Sequence, residues 1–542
     1  MTNLILNRKE LEDKIGKINE KVEEKISMFG TPVDKLTESE IEIEIFPNRP
    51  DLLSLEGFSR AFLAFINKKP GLKNYKVENP KKDYKVIVDK SVKKVRPYTA
   101  CAIVTGLKLN ENKIKQIIDI QEKLHGSYGR NRKKLAIGIY PLDKIKLPIK
   151  YLAKKPEDIK FQPLEFPKEL NGRQILSQHP TGKEYGNLLK DCEVFPVFED
   201  ANGEILSMPP IINSHKTGKI NEDTKEVFIE CSGFDLEYLK KTLNILVCAF
   251  SDLGGKIYGM EVEDSKMPDL EPEKVDFSIE NLNKTLGLNL NEKEIEKYLG
   301  LMGIGYKKNL ALIPCYRTDI LHEIDLAEEV AIAYGYENFK PEIPNIATIG
   351  EESKLSILKK KISEILIGLE MLEISTYHLS TKETQFKRIG VKEFKNDTIE
   401  LLDYKTENNI LRNSLLANSI KILSENSDAS YPQKIFEIGT VFYNDKKSDT
   451  GVGEKENLCI SICHEKANFT ELKQILNYFT KMLNIDYEIK EALYPAFIEG
   501  RCGEIFINKK SIGIIGEISP IVLKNNKIKM PAAILEINIE NF

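Results

Sequence analysis

Apolar residues recur along this chain in two periods. In Ile41-Glu42-Ile43-Glu44-Ile45 every second residue is apolar, which predicts a strand with one face on a core. Residues 8–26 are charged but spaced for a helix. Residues 52–66 resume that spacing after the turn chemistry of Asn48-Arg49-Pro50-Asp51. Residues 67–85 are polar and rich in Lys and Pro, which predicts a link. From there to about residue 263, short apolar runs alternate with Pro and Gly. Among them, Ala136-Ile137-Gly138-Ile139-Tyr140 and Val227-Phe228-Ile229-Glu230 have strand composition. Between Met267-Pro268 and Pro341-Glu342-Ile343-Pro344, helical spacing at 279–286, 292–302 and 324–336 predicts a compact βαα-like unit. The last part predicts helices over 353–369 and 413–425 and strands over 434–442 and 533–539. The pattern describes an α+β multidomain chain divided at 1–85, 86–266, 267–343 and 344–542.

Composition narrows the class. Hydrophobic residues make up 41% and charged residues 30%, the balance of a globular protein. With 79 basic and 83 acidic residues the formal charge is −4, so nucleic acid would have to meet a local patch. The densest basic run is Gly129-Arg130-Asn131-Arg132-Lys133-Lys134, a candidate phosphate contact or a solvated loop. No apolar run is long enough to predict a membrane helix, and the N-terminus turns charged too early for a secretory signal. The eight cysteines include no C-x-x-C, which fits a reducing cytoplasm. Cys459-Ile460-Ser461-Ile462-Cys463 reads as a buried strand beside His464. Gly303-Ile304-Gly305 is a turn, not a nucleotide fingerprint.

One helix concentrates acid. Asp325, Glu328 and Glu329 stand at i, i+3 and i+4 and share a face, with Asp319 just before them. Such a face is either solvated or gathered around a cation, and hard oxygen ligands suit Mg²⁺.

The stretch from Pro314 through Arg317, Asp319, His322, Asp325, Glu328 and Glu329 to Tyr334-Gly335-Tyr336 resembles the signature of a small module in phenylalanyl-tRNA synthetase β subunits. The resemblance spans the chain. Asn48 to Ser54 with Glu56-Gly57 and Arg60 is similar to the family's N-terminal motif. His179-Pro180-Thr181-Gly182-Lys183-Glu184-Tyr185, Ser207-Met208-Pro209-Pro210-Ile211-Ile212-Asn213-Ser214, Thr217 and Thr224 resemble the archaeal and eukaryotic editing domain. Gly500-Arg501 and the stretch 512–520 resemble the catalytic-like domain. The chain leaves no room for the tRNA-binding insertion or the C-terminal anticodon-binding domain of bacterial β subunits, as expected of the archaeal form.

The resemblance implies an N-terminal α/β domain, a β-rich editing domain, a small winged or DNA-binding-like module and a C-terminal class II synthetase-like antiparallel-sheet domain. It implies that Asp319, Asp325, Glu328 and Glu329 hold a Mg²⁺ shared with an α subunit. ATP would be a substrate of the complex, an α2β2 heterotetramer charging tRNA-Phe in the cytoplasm. Adenylation would fall to α, because Phe436-Glu437-Ile438-Gly439 and the stretch 513–520 lack the arginines of class II catalysis. Tyrosine adds one hydroxyl to the phenylalanine ring, so a second, hydrolytic site is useful. The resemblance puts Glu230 at that hydroxyl and Ser232 at a hydroxyl of the family pattern; Asn213, Ser214 and Thr217 either bind the ribose end or position the water, or serve only loop hydrogen bonds. The archaeal pattern Asp-Val-Thr-Gly-Thr-Asp reads Glu230-Cys231-Ser232-Gly233-Phe234-Asp235 here. The competing readings are a free-standing aminoacyl-tRNA deacylase and a non-enzymatic nucleic-acid-binding protein. A degenerate synthetase domain favours the heteromer over both.

Overall fold

The alternating segment around Ile43 is the middle strand of a three-stranded antiparallel sheet, ordered Thr2–Asn7, Glu40–Ile45, Val33–Leu36. Ile41, Ile43 and Ile45 are buried, as the alternation requires. The computed structural model describes residues 2–346, 349–391 and 397–542. It divides into two units, Met1–Ile343 and Pro344–Phe542.

In the first unit, the helical stretch expected over 8–26 is two helices, Arg8–Ile15 and Glu20–Met28. Gly16 breaks it with φ 98°, and the Asn19 side chain caps the second helix. The helix expected from residue 52 runs Leu55–Phe65, after a single turn at Pro50–Leu52. Ser54 caps it by accepting from Gly57 N at 3.0 Å.

The expected division at 85/86 cuts the strand Lys85–Val88, and that at 266/267 cuts Ser265–Met267. Both strands belong to a seven-stranded sheet, ordered Ile212–Asn213, Ile205–Met208, Phe195–Glu199, Ile149–Lys154, Lys85–Val88, Met260–Val262, Ser265–Met267. A five-stranded sheet runs Val77–Glu78, Lys256–Tyr258, Tyr98–Thr105, Val227–Gly233, Leu135–Pro141. Its edge strand Val77–Glu78 lies inside the expected link and pairs in parallel with Lys256–Tyr258. Helix Leu236–Asp252 packs on this sheet through Leu239, Leu243 and Val247. Strands Glu273–Asp276, Leu310–Ile313 and Gly305–Lys307 and helices Ile279–Leu286, Glu292–Leu301 and Glu323–Tyr334 follow. One hydrophobic cluster runs from Leu4 to Val330, and a second, smaller one gathers Phe195, Val197, Ile205 and Met208 with Ile159 and Ile175.

The second unit is a seven-stranded sheet, ordered Leu372–Glu373, Gln433–Asn444, Val452–Cys463, Ala532–Asn538, Lys510–Ile518, Phe497–Ile507, Glu488–Glu491. It is antiparallel except for its first pair. The strand Val452–Cys463 alternates as a doubly buried strand should. Leu458, Ile460 and Ile462 join a cluster with helices Lys354–Gly368 and Phe469–Met482. Cys459 and Cys463 join the cluster of helix Leu415–Glu425. In the strand where a catalytic arginine would be sought, Glu437 accepts instead from Arg412 Nη1 at 2.7 Å, both side chains 2% exposed.

Candidate functional site

A cleft of about 510 Å³ opens between strands Leu135–Pro141, Ile205–Met208 and Val227–Gly233 and helix Glu111–Gly126. Glu230 forms part of its floor, 1% exposed. The Tyr140 hydroxyl lies 2.8 Å from Ser207 Oγ, 3.3 Å from Glu230 Oε1 and 3.4 Å from Asn213 Oδ1. Glu230 Oε2 is buried without a hydrogen-bond partner among the described residues. Burial pushes the Glu230 carboxyl up to about 8; the Arg96 cation and hydrogen bonds from Tyr140 and Ser232 offset part of that. At neutral pH this carboxyl therefore carries a proton and is both donor and acceptor.

Glycine makes the space. Gly138 pairs with Glu230 across the strands. A Cβ there would stand 2.1 Å from Tyr140 Oη and 2.6 Å from Glu230 Oε1.

Of the five side chains expected here, Glu230 and Asn213 line the cleft. Ser232, beside Glu230 on the same strand face, is fully buried outside the cleft lining: Arg96 donates to its Oγ at 3.3 Å and to its carbonyl at 2.7 Å. Thr217 is buried against Leu206 O, and Ser214 anchors its loop by donating its own N–H to Leu206 O at 2.7 Å. Their place behind the wall follows from strand Ile205–Met208, which both loops must satisfy. Sequence reasoning missed Tyr140, Ser207, Arg96 and His215. Tyr140 stands two residues from Gly138 on one strand face, a pattern legible once the strand is known. His215 lines the cleft with Nδ1 buried and unpartnered.

The basic run behaves otherwise than as a simple phosphate patch. Arg130, Asn131 and Arg132 all have positive φ, 49°, 53° and 62°. This coil turns Arg132 inward, where Nη1 donates to Pro210 O at 3.2 Å and Ile211 O at 2.8 Å. Its Nη2 donates to Glu122, and its guanidinium sits 4.6 Å from the Tyr185 ring centroid. Arg132 thus holds the cleft's rim, while Arg130, Lys133 and Lys134 remain exposed.

The acidic helix does not gather its four carboxylates. Arg317 donates to both oxygens of Asp319, at 2.8 and 2.7 Å, and to Glu329 at 3.0 Å. Burial alone would raise the Asp319 carboxyl; the charge and hydrogen bonds of Arg317, with Arg49 beyond, outweigh it and hold it below its usual range. Asp325 caps its own helix, Oδ2 accepting from Leu321 N at 2.7 Å and His322 N at 2.8 Å. Glu328 is exposed. Among the described residues no three His, Cys, Asp or Glu side chains are grouped to hold a metal ion. The residues as placed do not form a Mg²⁺ cage, because an internal arginine has taken two of the expected ligands.

Three regions of the chain match models of known domains. Residues 82–247 match the B3/4 domain, 275–336 the tRNA synthetase B5 domain, and 340–539 the phenylalanyl tRNA synthetase beta chain CLM domain. They mark a subunit built from aminoacyl-tRNA synthetase modules. The phenylalanine–tRNA ligase beta subunit of Methanococcus maripaludis (strain C6) is 38% identical over 551 residues, covering 100% of this chain and 98% of that one. The same subunit from Thermococcus kodakarensis is 37% identical over 514 residues, 90% of this chain and 89% of its own. A crystal structure of an N-terminal fragment of the Pyrococcus horikoshii phenylalanyl-tRNA synthetase beta subunit matches with TM-score 0.58 and 36% identity, over 61% of this chain and 99% of the fragment. The chain belongs to the phenylalanine–tRNA ligase β-subunit family. No described helix is long and apolar enough to cross a membrane.

Proposed function

We propose that this chain is the β subunit of a cytoplasmic phenylalanine–tRNA ligase and that the cleft around Glu230 hydrolyses tyrosine esterified to tRNA-Phe. The complex attaches phenylalanine to tRNA-Phe with ATP and Mg²⁺, as an α2β2 heterotetramer whose α subunit carries adenylation. The editing reading is carried by one observation: a buried, unpartnered Glu230 Oε2 in a cleft large enough for an amino-acid side chain. A protonated Glu230 offers a tyrosine phenol both a donor and an acceptor. A phenylalanine ring at the same place leaves that buried group unpaired, at a cost of ~1–3 kcal/mol. The cleft would thus bind the wrong ester and spare the right one. Asn213 lies at the other edge of the same hydrogen-bond group, suited to the ester end.

The second unit supports a heteromer over a free-standing deacylase. Its sheet resembles a class II synthetase core, yet Glu437 there is locked to Arg412 in the interior. The strand-and-helix module around Glu323–Tyr334 is the winged, DNA-binding-like part of the chain. Any Mg²⁺ contact it makes with α falls to exposed Glu328, with Asp325 beside it.

The test has two parts. The purified chain should show no phenylalanine-dependent ATP–pyrophosphate exchange, and addition of α should restore it. In the complex, Glu230→Ala should keep phenylalanine charging while Tyr-tRNA-Phe accumulates. Undiminished deacylation by that variant removes Glu230 from the site.

A further inference from the structure

A second cavity, of about 530 Å³, shares no lining residue with the cleft at Glu230. Helix Leu55–Phe65 forms one wall, and Asp13, Lys14, Arg49, residues 69–73, Asp252, 302–303 and 316–317 form the rest. Glu56, Ser59 and Arg60 lie at i, i+3 and i+4 and present one face of that helix to it. Two neighbouring donors on this face are buried without a partner among the described residues, Ser59 Oγ and Arg60 Nε. Ser59 is 3% exposed, and the Arg60 side chain 8%. Buried donors in native proteins nearly always find an acceptor.

The charges around them are unbalanced in one direction. Arg60 donates to Asp252 at 2.7 Å, and Lys73 is paired to the same carboxylate. One anion therefore serves two cations. The Arg60 guanidinium is held in place by the Tyr316 ring, 3.8 Å from its centre. Glu56 is buried, which raises its carboxyl; Lys14, 3.5 Å away, offsets this in part. Arg49 and Arg317 also line the wall but are spent on Asp51, Asp319 and Glu329.

We infer that this cavity binds a phosphate-class oxyanion, which would accept from Ser59 Oγ and Arg60 Nε and balance the surplus charge of Arg60 and Lys73. Phosphate oxygens offer enough acceptor sites for both donors, and a guanidinium fixed against an aromatic ring is preorganised for them. The phosphate could belong to a free nucleotide or to an RNA backbone; the shared chemistry is the same.

The test uses the α–β complex, with inorganic phosphate titrated by calorimetry and by ³¹P line broadening against chloride at matched ionic strength. Lys73→Met is half exposed and keeps the Arg60–Asp252 pair. It should weaken phosphate binding about tenfold, and Ser59→Ala several-fold, since that hydroxyl has no bond to lose. Lys76→Met, whose lysine pairs with Glu78 outside the cavity, is the control. Comparing variant with wild-type complex separates this site from those of α. Competition by AMP assigns a free nucleotide as the source, and competition by a short oligouridylate assigns RNA. No saturable phosphate binding, or equal loss in Lys73→Met and Lys76→Met, overturns the inference.

Discussion

Replacing Glu230 by Gln should make the cleft floor more stable at alkaline pH, and the size of the effect follows from burial. Moving a carboxyl from its ordinary 4.5 to about 8 corresponds to ~5 kcal/mol between its two protonation states. The folded chain keeps this proton above the pH at which the unfolded chain releases it. Its stabilising contribution is therefore full below about pH 4.5 and falls by ~1.4 kcal/mol per pH unit towards pH 8, beyond which the loss is complete. Glutamine cannot ionise and lacks this fall. Between pH 5 and pH 8 the wild type should lose ~4 kcal/mol relative to Glu230→Gln. Global unfolding of a multidomain chain is not a two-state reading, so the assay must be local. Hydrogen exchange of the amides in Val227–Gly233, compared between variant and wild-type complexes at each pH, cancels the intrinsic exchange rate and reports local opening. A difference that stays flat from pH 5 to pH 8 would refute the reasoning, because Glu230 would then be charged or solvated throughout.

Three other outcomes follow. Gly138→Ala should cut Tyr-tRNA-Phe deacylation at least tenfold with phenylalanine charging retained, since its methyl enters the space held by Tyr140 and Glu230; a deacylation assay on the purified complex decides. Glu328→Gln should weaken Mg²⁺-dependent association with α more than Asp319→Asn does, measured by analytical ultracentrifugation, because Asp319 is committed to Arg317; the reverse order would mean that Arg317 releases its partners on assembly. Arg412→Met should destabilise the second unit by ~3–5 kcal/mol by stranding Glu437, while Arg412→Met with Glu437→Leu should recover most of it, as read by thermal unfolding.

Much of this was legible in the sequence, for stated reasons. Ile41 to Ile45 announced its strand because alternation survives any tertiary context that buries one face. Residues 434–442 and 279–286 were placed nearly to the residue by continuous periodicity. The split at Gly16 was missed because a glycine within charged helical spacing does not declare its φ. Strands Lys85–Val88 and Ser265–Met267 run across the divisions expected at 85 and 266, because short strands are made by pairing across the chain, which local composition does not carry. Of the five side chains expected at the site, Glu230 and Asn213 line the cleft, while Ser232, Ser214 and Thr217 lie outside its lining. The acidic face was read correctly as spacing and incompletely as chemistry: Arg317 stands in the same motif, and nothing in a one-dimensional pattern shows that its guanidinium reaches two of the four carboxylates.

The hydrophobic cluster shared from Leu4 to Val330 also bears on how this chain can be cut. Gly71 N donates to Gly300 O at 2.7 Å, Lys241 Nζ to Arg317 O at 3.0 Å, and Thr318 Oγ1 to Asn48 O at 3.3 Å. The Lys241 bond joins the B3/4 match to the B5 match, and the other two tie the B5 match to the N-terminal residues before either. A fragment trimmed to the B3/4 match would lose Val77–Glu78, Lys256–Tyr258 and Met260–Val262, baring the edge of Tyr98–Thr105 and one of Lys85–Val88's ladders. Bare strand edges pair with whatever strand they meet. Residues 1–343 are therefore the piece to keep whole when this chain is cut, and a fragment that stops at a module boundary inside it should lose solubility before it loses its helices.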